Sequence, residues 1–213
     1  MRSTLTLCLL FAFFVAISQD DLPDYRNKKE QWARVSDKII KAEMATFALA
    51  GIEDRIGKTP LKTIPATSYG SNYISFDENN VKAKVVSGMF NPAKHRLDSV
   101  EKYLVKIDKK PYYGNYGSVP KYTIESVVFI IDKDSVVVPA TAIFDLYSPS
   151  FAYTDSRGSA RTFNAVYMSA DGRRIYLYML NKEKIGSYEV TWVIQDKKFL
   201  RRVVDSGILK NKD

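Results

Sequence analysis

The segment Pro111-Tyr112-Tyr113-Gly114-Asn115-Tyr116-Gly117-Ser118-Val119-Pro120 sets three phenol rings and one side-chain amide among two glycines and two prolines. Such a scaffold forms turns rather than strands, so it can hold rings on a rigid loop. A Tyr face offers apolar contact area and its hydroxyl a hydrogen bond, at little cost in side-chain entropy; this suits a sugar ring or a protein surface. Tyr112, Tyr113 and Tyr116 are therefore the candidate ligand-binding rings, and Asn115 the candidate polar contact that gives direction. The competing reading is that the rings fold back and close one end of the core.

Residues for catalysis are scarce. The chain has one His and one Cys, which leaves too few parts for most Cys/His metal sites or a Ser-His-Asp hydrolase. His95 sits in the polar run Asn91-Pro92-Ala93-Lys94-His95-Arg96, and no Gly-x-Ser-x-Gly elbow accompanies it. Glycoside hydrolysis needs two facing carboxylates, and none of the 24 acids is marked as a pair. No glycine-rich phosphate cradle opens a helix. Neither a metal nor a cofactor is expected.

Two further aromatic groups follow from strand arithmetic. If Asp171-Gly172 is a two-residue hairpin loop, Tyr167 lies opposite Tyr176, and Phe163, Tyr167, Tyr176 and Tyr178 share one face. Val166, Met168, Ile175, Leu177 and Met179 share the other, which must be core. The Tyr face is either a flat ligand platform or the seat of a second layer, such as a helix carrying Trp32. Downstream, a two-residue loop at Asp196-Lys197 sets Trp192 across from Arg201, a cation–π pair in that register.

The elements that must position these residues can be read from periodicity. Trp32, Val35, Ile39, Ala42 and Phe47 recur near a helical period, predicting one helix over about 27–50, closed by Gly51. Residues 55–72 carry Gly57, Pro60, Pro65 and Gly70 and read as a connecting loop. Strands are expected at 73–76, 81–87, 102–108, 122–131, 135–140, 162–169, 173–180, 187–195 and 198–205. The apolar run Val127 to Ile131 suggests a strand buried on both faces. The expected fold is mainly β, with α+β as the alternative: a single antiparallel β-sandwich domain of about nine strands over 19–213, preceded by the helix.

At the N-terminus, Arg2 precedes an apolar run from Leu5 to Ile17, followed by Ser18. The run has 13 residues, short of the roughly 20 that span a bilayer, so residues 1–18 read as a cleavable signal peptide and no integral span remains. Cys8 lies inside the run without small residues before it, which argues against a lipid anchor. Cleavage removes the only Cys, and the exported chain can form no disulfide. Loss of Arg2 takes the formal charge from +8 to +7. A basic exported chain suits an anionic glycan or an envelope protein as partner and makes nucleic acid a poor one.

Over Lys109 to Pro120 and Gly186 to Val204 the chain resembles secreted proteins of the Bacteroidetes that have no assigned activity. The shared features are a Tyr-Gly-x-x-Gly-x-Val-Pro loop and a Tyr-Glu-Val-Thr-Trp-Val strand followed by a paired Arg. The resemblance implies an exported bacterial β protein and carries no functional residue across. The reading from sequence is thus a periplasmic or secreted, non-catalytic sandwich that binds a glycan or a protein through its aromatic loop. A hydrolase of envelope or extracellular glycans, and a structural or inhibitory envelope component, are the alternatives.

Overall fold

The computed structural model describes residues 30–207; the expected signal peptide, Cys8 and the start of the expected helix lie outside them. In place of one helix over 27–50 there are three short ones, α1 (Glu30–Ala33), α2 (Lys38–Met44) and α3 (Leu49–Ile52). Asp37 makes the first break. Its backbone is extended and its carboxylate accepts from the N–H groups of Ile39 and Ile40, which starts a new helix. The second break frees Phe47 to stack flat on Tyr167, with ring centroids 4.2 Å apart and planes 6° apart.

The rest is strand: β1 (Lys62–Ile64), β2 (Ala66–Tyr69), β3 (Tyr73–Glu78), β4 (Val81–Met89), β5 (Leu97–Val100), β6 (Tyr103–Ile107), β7 (Tyr122–Ile131), β8 (Asp134–Val137), β9 (Tyr153–Thr154), β10 (Ala160–Arg161), β11 (Ala165–Met168), β12 (Arg174–Asn181), β13 (Tyr188–Gln195) and β14 (Lys198–Ser206). The mainly β, antiparallel fold is as expected, with more and shorter strands than the nine foreseen. β1 and β2 fall in the stretch read as loop. Pro65 separates them and has no N–H to give a ladder, and the chain changes sheets there.

One five-stranded sheet has the order β1-β11-β12-β13-β14 and the other β2-β3-β4-β7-β8. Between them lies the main core, where Ile175, Leu177, Val190 and Trp192 of the first sheet meet Phe76, Val85, Val127 and Phe129 of the second. Trp192 is fully buried and its Nε1 donates to the Ala142 carbonyl at 3.0 Å. The opposite face of the first sheet sets Tyr176, Tyr178, Val193 and Val203 under Trp32, Ile40, Met44 and Phe47. Helices, first sheet and second sheet therefore stack as three layers. Each large apolar side chain so buried contributes about 1.5–3 kcal/mol.

Hairpin arithmetic holds at Asp171-Gly172, where Tyr167 pairs with Tyr176 and Val166 with Leu177. The Tyr face is no platform, because the helices cover it. At the next hairpin the two-residue loop is as expected, with Gln195 opposite Lys198, yet Trp192 pairs with Arg202 and not with Arg201. A bulge at Val193/Ile194 inserts one extra residue on β14 and moves the register by one. The strand 122–131 also departs from expectation: its buried and open positions alternate, and Ile130 is 42% exposed.

Candidate functional site

The aromatic loop that the sequence singles out is buried. Tyr112, Tyr113 and Tyr116 are 1%, 6% and 2% exposed, which overturns the expectation that they present ring faces to a ligand. Tyr112 and Tyr116 form a cluster with Phe90, Leu104, Ile107 and Tyr147 at one end of the sandwich, while Tyr113 belongs to the main core. The cause is local: the Tyr113 N–H donates to Asp145 O at 2.8 Å and the Tyr147 N–H to Tyr113 O at 2.9 Å, so the loop is laced to residues 145–147. Gly114 makes this approach possible at φ +88°, since a Cβ there would collide with the Tyr147 carbonyl.

Polar atoms of the loop also point inward. The Tyr112 hydroxyl donates to Leu104 O at 3.1 Å and accepts from the Gly117 N–H at 3.0 Å. The Tyr113 hydroxyl accepts from Gln31 Nε2 at 3.2 Å. Asn115, with φ 46°, is the one half-buried member of the proposed set, and its Nδ2 reaches only Val119 O at 3.5 Å. The structure thus brings the four residues together as a plug closing the sandwich end.

Next to the plug lie the groups on which catalysis would depend. His95 Nδ1 is 2.7 Å from Asp108 Oδ2, and the ring stacks on Phe90 at 4.7 Å. That contact and the Arg96 N–H hold the Asp108 carboxyl below the usual range. Asp108 and Asp145 line one small pocket of about 100 Å³ with Tyr147 and Lys110. Burial, reinforced by the charges of Asp108 and Asp145, pushes the Tyr147 phenol up to about 12. Asp145 is gripped by the Arg202 guanidinium through both of its oxygens. Both acids are engaged, Asp108 in a hydrogen bond with His95 and Asp145 in an ion pair with Arg202, and the space is below the 300 Å³ or so of ordinary ligand sites.

The other buried acids hold the helices to the first sheet. Glu43 accepts from Arg174 Nε at 2.8 Å and Nη2 at 2.9 Å, and from the Tyr176 hydroxyl. Glu189 accepts from the Leu49 and Ala50 N–H groups, each at 2.7 Å, and from the Tyr178 hydroxyl at 2.9 Å. Burial nevertheless raises its carboxyl, helped by the nearby charge of Asp205. Among the described residues no group of three or more His, Cys, Asp or Glu could hold a metal ion.

The surface that sequence reasoning missed is the outer face of the second sheet, which no helix among the described residues covers. Register sets Ser75, Lys84, Val128 and Val137 in one row, and Asp77, Lys82, Ile130 and Ser135 in the next. On the β2, β3, β4 and β7 side of these rows lies a hollow of about 520 Å³ with Val128 and Ile130 as its apolar floor and Ser68, Ser75, Asp77, Lys82 and Lys84 around it. The hydroxyls of Ser68 and Ser75 lie 2.8 Å apart, Lys82 pairs with Asp77 at 2.8 Å, and the Lys84 ammonium sits 5.4 Å from the Tyr73 ring centre. The signal was present as strict alternation in Val81-Lys82-Ala83-Lys84-Val85.

No family model matches the chain, and no solved structure matches it. Among curated proteins it is similar to an alpha-1,2-mannosyltransferase of Candida albicans, 28% identical in an alignment of 128 residues that covers 55% of this chain and 19% of that protein. The chain thus spans about a fifth of that relative's length, and the similarity assigns it to no family.

Proposed function

We propose that the chain is an exported, non-catalytic β-sandwich protein, periplasmic or secreted, that binds a glycan along the open face of its second sheet. The observation that carries this reading is the 520 Å³ hollow with its mixed lining. Val128 and Ile130 offer apolar area to the C–H face of a sugar ring. Ser, Asp and Lys side chains around them supply donors and acceptors, the usual division of labour in a small-molecule site. The partial similarity to a mannosyltransferase supports a glycan as ligand and does not bring that enzyme's activity with it.

The hydrolase reading is weaker, because Asp108 is tied to His95 by a hydrogen bond and Asp145 to Arg202 by an ion pair, within a pocket of about 100 Å³. Affinity electrophoresis tests the proposal. The protein without residues 1–18 is run through gels containing yeast mannan, a bacterial peptidoglycan digest or chondroitin sulfate. Retardation by at least one glycan, with no release of reducing ends, is expected. Free migration in all of them, or release of sugar, contradicts it.

A further inference from the structure

The charges around the groove do not balance. Its lining holds three charged side chains, Asp77, Lys82 and Lys84. Asp77 and Lys82 answer each other at 2.8 Å across the β3–β4 pair. Lys84 has no such acid. Ser75 stands opposite it on β3 and Val128 on β7, and among the described residues it makes no ion pair.

An aromatic ring steadies its ammonium instead. The Tyr73 ring centre lies 5.4 Å away. That ring is seated against Gly70, where a Cβ would come within 2.8 Å of the ring carbon Cε1, and the Gly70 N–H donates to Tyr73 O at 2.9 Å. A ring face attracts an ammonium without neutralising it.

The imbalance matters once a ligand covers the floor. Lys84 and Val128 are direct cross-strand neighbours, with Cβ atoms about 5 Å apart, so a ring laid on Val128 strips water from the ammonium as well. Sugar hydroxyls replace that water only in part, and a cation deprived of water without a counter-ion is costly. An acidic group on the ligand removes the cost. The ammonium is a compact charge with rotatable donors, so it pairs with a carboxylate or a sulfate alike. Asp77 does not oppose such an anion, because Lys82 already compensates it.

We propose that the groove takes an acidic sugar in preference to a neutral one, with its ring on Val128 and Ile130 and its carboxylate or sulfate on Lys84. This rests on the glycan reading of the groove and adds the charge of the substrate to it.

The chain without residues 1–18 is run by affinity electrophoresis at physiological ionic strength through two matched pairs, polygalacturonate against its methyl ester and dextran sulfate against dextran. Stronger retardation by at least one acidic polymer than by its neutral partner is expected. Lys84→Gln should weaken that retardation about fivefold and Lys84→Arg less than about twofold. Arg173→Gln, which removes one positive charge from the other sheet, should leave it unchanged. A preference for polygalacturonate assigns a carboxylate, and a preference for dextran sulfate alone assigns a sulfate. Equal retardation within both pairs, or retardation by neutral glycans alone, overturns this inference and leaves the groove a glycan site. An acidic preference that Arg173→Gln reduces as much as Lys84→Gln does reports net charge and overturns it too. Free migration with these polymers and with the three glycans named above overturns both readings.

Discussion

The two sheets have five strands each and share one core, but their outer faces differ in kind. Along the outer face of the first sheet, Tyr167, Tyr176, Tyr178 and Val203 need cover, and the three short helices provide it. Along the outer face of the second, Lys82, Lys84, Ser75 and Asp77 surround Val128 and Ile130, and no helix of the described residues lies over them. The difference teaches that dense aromatics mark structure in this protein, while the face proposed for a ligand is the sparse, mixed one. The same holds at the end of the sandwich, where the Tyr loop is packing material.

If the covered regions are structural, substitutions there must be expensive. Replacing Tyr112, Tyr113 and Tyr116 together by Ala should destabilise the protein by more than about 6 kcal/mol, since each removes a large buried ring. Urea titration checks it; a loss under about 1 kcal/mol would mean that the rings are exposed after all. Glu43→Ala comes next. It strands the Arg174 guanidinium and the Tyr176 hydroxyl beneath α2, and a loss of about 3–5 kcal/mol is expected in the same assay. A neutral result would show the helix layer to be held by apolar packing alone.

A smaller effect separates the regions by pH. Burial raises the Glu189 carboxyl above its ordinary 4.5, so the folded state keeps this proton to higher pH than the unfolded chain does. Stability from this group is complete below about pH 4.5 and is lost as pH rises through the folded value. Glu189→Gln cannot titrate, so its stability deficit relative to wild type should shrink between pH 4.5 and pH 8. Urea midpoints at four pH values would show this, and a constant deficit would contradict it. Asp171 and Asp196, whose carboxyls are lowered first by the Ser169 hydroxyl and by Arg173 respectively, act in the opposite sense and only in acid.

The strands that carry the core were legible because their alternation and turn residues agree. Asp171-Gly172 fixed one hairpin register outright, and 122–131 was placed to the residue. Two features were hidden for different reasons. Asp37 is an N-cap residue, but the apolar period that runs on either side of it masks the restart of the helix, and no residue of β14 marks the extra position that moves Arg202 opposite Trp192. The Tyr loop misled for a related reason: a Gly/Pro scaffold suits rings turned outward or inward equally well, and the hydrogen bonds to residues 145–147 decide it. The groove was hidden because 127–131, read alone, is uniformly apolar, and only register shows Val128 and Ile130 beside Lys84 and Lys82.

On the open face the expected effect on stability is least. Lys84→Ala combined with Ile130→Ser should change it by no more than about 1 kcal/mol, because both side chains are exposed. A loss of several kcal/mol in thermal or urea unfolding would reclassify this face as structural.

The measurement that bears most directly on the contrast between the faces is hydrogen–deuterium exchange of the protein with and without the glycan that retards it, repeated with the Lys84→Ala, Ile130→Ser double variant. Bound glycan should slow exchange in peptides covering 73–86 and 126–137 and leave 109–120 unchanged, and the double variant should lose this protection along with gel retardation. Protection centred on 109–120, or a double variant that is retained as well as wild type, would contradict the account.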